Sequence, residues 1–389
     1  MTLGCKVNQF ESAAFISELV GHRGVEIVPF SAPAEVYLIN TCAVTAKAGA
    51  QCRQLIRRAA KNPEARLVIT GCYAQIAPQE ILELGNRPIS IVGNGFKDKV
   101  VKAVMASRAC LSTRDLGDMA VCRQVVPLTV SRFGRRTRAI LKVQDGCSRG
   151  CSCCIVPISR GPSRSVLPKQ VLAQAAIFAR IGHRELVITG IHLGHYGLDL
   201  TPVISLPGLL KQLLARRFPL RYQISSLEPT EVDDELLELL AAEEGLQPHL
   251  HIPLQSGDDR ILRAMNRPCR AGDFAATIEC CAARAPDMAI GVDVMAGFPG
   301  EDTKAFNNTC QLLVELPISY LHVFPHSRRA GTRAATLPAQ VSDWIRKQRT
   351  AILRALDQQK RREFYRRHRN KSNSLAETAD AGGNNRHRG

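Results

Sequence analysis

Apolar residues along this chain recur in two patterns that alternate regularly. Short apolar runs at Glu26 to Phe30, Val36 to Asn40, Leu67 to Thr70 and Ile89 to Val92 read as strands buried on both faces. Between them, Gln9 to Val20, Ala46 to Ala60 and Pro78 to Leu84 place apolar side chains three and four apart, the spacing of a helix with one buried face, and Val100 to Ser107 reads as a last helix of this series. Strand and helix in alternation predict an α/β domain over residues 1–110 with a doubly wound parallel sheet. The chain opens at once on Met1-Thr-Leu-Gly-Cys5, so its first strand is expected to be very short.

A second series opens at Ala139-Ile-Leu-Lys-Val143 and repeats at Glu185 to Thr189, Arg221 to Ser225, His249 to Pro253, Ala289 to Val294 and Tyr320 to Phe324. Six β/α units are too few to close an eight-stranded barrel. Residues 111–137 read as a connector ending in the basic cluster Arg132, Arg135, Arg136 and Arg138, and 138–335 as the second domain. Residues 336–370 read as a long basic helix. The polar, glycine-containing segment 371–389 is expected to be disordered.

The formal charge of +17 suggests a polyanionic partner, because Lys and Arg gain affinity by displacing counterions from phosphates. No apolar stretch is long enough to span a bilayer, and the N-terminus enters a motif instead of a signal peptide, so a cytoplasmic, reducing location away from any membrane is expected. In such a compartment the 14 cysteines read as metal ligands and buried thiols, not as disulfides. Cys52, Cys110, Cys122, Cys269, Cys280, Cys281 and Cys310 lie in no motif and read as packing residues.

Two cysteine sets stand out. Cys147, Cys151 and Cys154, in Asp145-Gly-Cys-Ser-Arg-Gly-Cys-Ser-Cys-Cys154, form a Cys-x3-Cys-x2-Cys triplet. Three thiolates in a compact loop would leave one iron of a four-iron cluster open to another ligand. A structural zinc site would show a fourth ligand in a paired spacing, and none lies close by, although Cys153 supplies an alternative thiol. Cys5, Cys42 and Cys72 each end an apolar run, so parallel strands would deliver three more thiols to one rim of a sheet, where open α/β sheets hold ligands.

Both triplets, with the flanks Gly4-Cys-Lys-Val-Asn-Gln9, Asn40-Thr-Cys42 and Thr70-Gly-Cys72, resemble the radical S-adenosylmethionine (SAM) methylthiotransferases, above all the branch acting on N6-threonylcarbamoyladenosine in transfer RNA. The resemblance implies an open (β/α)6 partial barrel. It also implies two 4Fe-4S clusters, one on Cys147, Cys151 and Cys154 and one on Cys5, Cys42 and Cys72, with SAM on the open iron of the former and cleaved there to a 5′-deoxyadenosyl radical. Gly190 and His192 in Thr189-Gly-Ile-His-Leu-Gly-His195, Gln255 and Ser256 after the fourth strand, and Asp293 and Gly297 in Asp293-Val-Met-Ala-Gly-Phe-Pro-Gly-Glu301 are then expected to contact SAM. Ser225, Glu228 and His322 would line the same space. The partners implied are the anticodon loop of transfer RNA, a sulfur source and an electron donor such as flavodoxin or ferredoxin. The family's small β-barrel RNA-binding domain, called TRAM, is not recognisable in the sequence. The alternatives are a methylthiotransferase for isopentenyladenosine or a ribosomal protein, and a non-catalytic iron-sulfur RNA-binding or sensing protein.

Overall fold

The computed structural model describes residues 1–84, 88–107, 113–134 and 138–382, with residues 370–382 described by backbone alone. Cys110, Arg135, Arg136 and residues 383–389 lie outside the described residues. The chain divides into two compact units: Met1–Ser226, Glu243–Gln247 and Ser327–Leu337 make the first, and Leu227–Ala242, Pro248–His326 and the chain from Pro338 onward make the second.

The first unit begins with α1 (Lys6–Leu19), β1 (Val36–Thr41), α2 (Ala46–Ala59), β2 (Arg66–Gly71), the short helices α3 (Cys72–Ile76) and α4 (Pro78–Leu82), β3 (Ile89–Val92), α5 (Lys99–Met105) and β4 (Arg114–Asp115). The four strands pair in parallel in the order β1-β2-β3-β4. Side chains alternate across this sheet. Ile39, Leu67, Ile69, Ile89 and Ile91 pack with Ile56, Tyr73 and Ile81 of α2, α3 and α4, whereas Leu38 and Val92 pack with Phe15, Leu19, Val100 and Val101 of α1 and α5. Both faces are thus covered, which is why the strands read as continuous apolar runs. Burying each such side chain stabilises the sheet by about 1.5–3 kcal/mol.

Two details differ from the sequence pattern. Glu26 to Phe30 forms no strand: Pro29 offers no amide, and Ile27 remains 47% exposed. β4 is an extra, very short strand whose residues, Arg114 and Asp115, carry no apolar signal. The start of the chain adds a strand fragment beside β1, with the Asn40 amide donating to the Met1 carbonyl and the Leu3 amide to the Asn40 carbonyl, both 2.9 Å.

The same unit continues through β5 (Arg138–Lys142), β6 (Gln144–Asp145), α6 (Val156–Arg160), β7 (Arg164–Ser165), α7 (Pro168–Arg180), β8 (Glu185–Thr189), α8 (Leu206–Ala215) and β9 (Arg221–Ile224). Strands β5, β8 and β9 form a parallel sheet, and β6 pairs antiparallel with β7. The second unit holds α9 (Asp234–Ala242), β10 (His249–His251), α10 (Asp259–Ala264), α11 (Ala271–Arg284), β11 (Ala289–Ala296), α12 (Thr303–Glu315), β12 (Tyr320–Pro325) and α13 (Asp343–Gly382), with β10-β11-β12 parallel. Each of the six β/α repeats read from the sequence contributes its strand.

Helix α13 runs past Asn370, where the polar composition predicts its end. Leu375, Ala376, Glu377, Ala379 and Ala381 are strong helix formers, and adding a residue to an existing helix costs far less than nucleating one. Among the described residues no helix is long and apolar enough to cross a membrane.

Candidate active site

The first unit brings Cys5, Cys42 and Cys72 to one rim of its N-terminal sheet. Thr41 pairs with Gly71, so Cys42 and Cys72 leave adjacent strands side by side, and Cys5 caps α1 beside them. The turn at Gly4 is possible only for glycine: its φ is +103°, and a Cβ there would stand 2.9 Å from the Cβ of Cys42. Asn8, one turn into α1, ties the arrangement together. Its Nδ2 donates to the carbonyls of Leu3 (2.8 Å) and Thr41 (3.0 Å), fixing the residues that lead into Cys5 and Cys42. Burial pushes the Cys42 thiol up to about 11.

Cys52 lies closer to this rim than its sequence context suggests. Its sulfur, fully buried, donates to the Cys42 carbonyl and accepts from the Cys42 amide, both at 3.4 Å. It therefore packs behind Cys42 as a hydrogen-bonded thiol, and burial pushes it up to about 12.

The second triplet sits in the loop that β6 and β7 frame. Cys147 is anchored by its amide to the Gly161 carbonyl (3.0 Å), and Cys154 by its amide to the Cys151 carbonyl (3.1 Å). Gly146 precedes Cys147 with φ +73°, and a Cβ there would fall 2.0 Å from the Pro162 carbonyl oxygen. The four thiols Cys147, Cys151, Cys153 and Cys154 are all partly exposed, so Cys153 is not distinguished from its neighbours by burial. Burial raises the Cys154 thiol to about 12.

Between the triplets lies a buried ion network that no local sequence pattern announces. Arg160, with no exposed surface, donates from Nη1 to Glu11 Oε1 (2.9 Å) and Asp145 Oδ1 (2.8 Å), from Nη2 to Asn8 Oδ1 (2.6 Å), and from Nε to the sulfur of Cys72 (3.2 Å). Lys142 reaches Glu11 (3.2 Å) and Asp145 (2.7 Å), and Lys97 reaches the other oxygen of Glu11 (3.1 Å). The three surrounding cations, Arg160 first, overcome burial and hold the Glu11 carboxyl well below the usual range. Asp145 is likewise held low by Arg160 and Lys142 against its burial.

The residues expected to contact SAM divide between the units. In the first, a Cβ on Gly190 would meet Gln144 Oε1 at 2.6 Å, and that oxygen accepts from the His192 amide at 2.8 Å. The His192 ring stacks on His195 with centroids 3.7 Å apart and brings Nδ1 to 3.4 Å from the sulfur of Cys147. In the second unit, Gln255 turns with φ +71° and keeps Oε1 buried without a hydrogen-bond partner among the described residues, an acceptor left over for a donor from a ligand. Ser256 is fully buried, with Oγ 3.4 Å from Thr309 Oγ1. Gly297 has φ +77° and packs where a Cβ would come 2.2 Å from Arg346 Cγ. Asp293 accepts from His251 (2.8 Å) and His322 (3.4 Å), which hold its carboxyl well below the usual range against burial.

The donor sets suit multi-iron clusters better than single ions. Three thiolates on one tetrahedral zinc would draw their sulfurs to within about 4 Å of each other. Among the described residues, neither cysteine triplet is one of the groups that bring three ligand atoms within 4.8 Å; His251, Asp293 and His322 are such a group. Thiolates on several separate chain segments, with N–H donors aimed at sulfur, are the environment in which iron-sulfur clusters are held and tuned.

The fold and this site define a radical SAM protein. Residues 141–313 match the radical SAM superfamily, and residues 1–93, which include Cys5, Cys42 and Cys72, match the uncharacterized protein family UPF0004. The radical SAM methyltransferase TsrM of Kitasatospora setae shares the fold, with a TM-score of 0.55 at 17% identity over 76% of this chain and 63% of that one, so this chain spans less than two thirds of that structure. The threonylcarbamoyladenosine tRNA methylthiotransferase of Aquifex aeolicus is 36% identical over 95% of this chain and 90% of its own length. The protein of the same description from Bacillus subtilis is 38% identical over 93% and 80%, and a putative methylthiotransferase of Helicobacter pylori 30% identical over 93% and 84%. The chain belongs to the radical SAM methylthiotransferase family. It is an enzyme of that family, whose cofactors are SAM and two 4Fe-4S clusters.

Proposed function

We propose that the enzyme transfers a methylthio group to C2 of N6-threonylcarbamoyladenosine next to the anticodon of transfer RNA. The observation that carries this reading is the pairing, within one compact unit, of two thiol triplets on separate frameworks, one at the rim of the N-terminal sheet and one in the loop after β6. In it, Cys147, Cys151 and Cys154 hold the cluster that binds SAM, and Cys5, Cys42 and Cys72 hold the second. The substrate is taken from the relatives described as threonylcarbamoyladenosine tRNA methylthiotransferases.

When bound, SAM and the reduced cluster supply a carbon-centred radical, suited to an aromatic C–H with neither an acidic proton nor a leaving group, and the second cluster supplies a place for the sulfur. The chain's own residues position and enclose. Gly190 leaves room for Gln144, which orients the His192 backbone beside Cys147. Gln255, Ser256, Asp293 and Gly297 are the further SAM contacts in this reading. The target base lies in a loop of the RNA, where unstacking it costs little. A low-potential donor such as flavodoxin or ferredoxin and a separate sulfur source complete the cycle.

The test is anaerobic reconstitution followed by product analysis. Wild-type protein should hold about eight irons, and about half that number after alanine replacement of either triplet. Cys147→Ala should end 5′-deoxyadenosine formation. Cys5→Ala should leave SAM cleavage measurable while stopping thiomethylation. A Cys5→Ala enzyme that still yields methylthiolated product would show that sulfur delivery does not depend on the N-terminal triplet.

A further inference from the structure

Arg160 is the largest fully buried side chain among the described residues, and its surroundings are unbalanced in charge. Two carboxylates, Glu11 and Asp145, face three cations, Arg160, Lys97 and Lys142. An arginine does not deprotonate in proteins, so Arg160 keeps its charge in this buried setting. A buried charge needs a partner. The direction in which Arg160 points supplies one: both Nη atoms are taken by Glu11, Asp145 and Asn8, and Nε, on the remaining edge of the guanidinium, is 3.2 Å from the sulfur of Cys72. Asn94 adds a weaker donor to the same sulfur at 3.8 Å and is itself tied to the Ser159 carbonyl at 2.7 Å. Thus α6, which follows the Cys147 loop, sends one guanidinium back to a sulfur of the other triplet.

We propose that Arg160 is a positioning residue for the N-terminal cluster, raising its reduction potential through a charged N–H···S hydrogen bond to Cys72 that the cluster on Cys147, Cys151 and Cys154 does not receive. The inference rests on the ligand assignment proposed above. Its physical basis is that hydrogen bonds to cluster sulfur and nearby positive charge both favour the reduced, more negative state. Glu11 opposes this effect by placing a carboxylate on the far side of the same guanidinium. The described contacts of Arg160 to sulfur are all on Cys72, so its N–H···S bond acts on the N-terminal cluster alone.

The experiment measures the midpoint potential of each cluster by EPR-monitored redox titration of the full chain. Replacing Cys147, Cys151 and Cys154 by alanine isolates the N-terminal cluster, and replacing Cys5, Cys42 and Cys72 isolates the other. In the first background, Arg160→Gln should lower the midpoint, Arg160→Lys should lower it less, and Glu11→Gln should raise it. In the second background, Arg160→Lys should leave the midpoint unchanged. Glu11→Gln is close to isosteric and keeps the result decisive if the Arg160 variants do not fold. Iron bound at wild-type potential in Arg160→Gln, or an unmoved or lowered potential in Glu11→Gln, would overturn the inference while leaving the ligand assignment intact. No iron in the first background, with Arg160 and Glu11 both present, would overturn the assignment itself and the inference with it.

Discussion

Asn8 shows how much of the site depends on single side chains. It is buried, donates to the Leu3 and Thr41 carbonyls and accepts from Arg160, so one amide fixes the approach to two cysteines and a contact of the third. Asn8→Ala would remove all three hydrogen bonds, at a cost of about 1–3 kcal/mol for each buried group left unpaired. The expected outcome is a clear drop in melting temperature and loss of about half the bound iron, checked by thermal unfolding and iron analysis. Full iron content in this variant would show that the thiols are placed without it. At this scale the sequence was legible where spacing carries the information. The two triplets could be picked out directly. Glu11, Lys97, Lys142 and Arg160 could not, because each reads locally as a solvated charge and they meet only across long separations, 131 residues for Lys142 with Glu11 and 149 for Arg160 with Glu11. Nor could Cys52, whose bond to Cys42 comes from α2 packing behind β1.

Among the elements, strands buried on both faces were the most readable, since a short continuous apolar run between turn residues fits a covered strand better than a surface helix. β4, with two charged residues, had no such signal. Helix α13 was readable as a helix but not in its division of labour. Lys360 is buried and donates to the Val314 and Leu316 carbonyls at 2.7 and 2.8 Å, capping the end of α12. Arg361 holds Asp357 at 2.8 Å and lies over the Tyr320 ring at 4.8 Å. These two charges are committed to packing, whereas Arg362, Arg366, Arg367 and Arg369, with Tyr365 among them, are exposed and free to meet phosphate. Replacing these four arginines by glutamine should weaken transfer RNA binding and reduce the slope of log K against log salt by about 0.7–0.9 for each phosphate no longer neutralised. Both clusters should remain. Binding curves at several salt concentrations check this, and unchanged affinity would assign the stripe to solvent. Replacing Lys360 should instead lower stability.

For the molecule as a whole, the order of the parts was legible: a thiol-bearing parallel sheet, then six β/α repeats carrying a second thiol loop. The two compact units do not follow that order. The first three strands of the repeat series belong with the N-terminal sheet, and segments 243–247 and 327–337 return to it, because tertiary contacts draw the boundary and local pattern does not record them. The substrate is the part furthest from geometry. It is tested most directly by mass spectrometry of transfer RNA nucleosides from a strain deleted for this gene and complemented with the wild-type chain, Cys5→Ala or Cys147→Ala. The 2-methylthio derivative of N6-threonylcarbamoyladenosine should be absent from the deletion strain, restored by the wild type and restored by neither variant. Normal levels of that nucleoside in the deletion strain, or loss of the methylthio group from isopentenyladenosine instead, would contradict the proposed function.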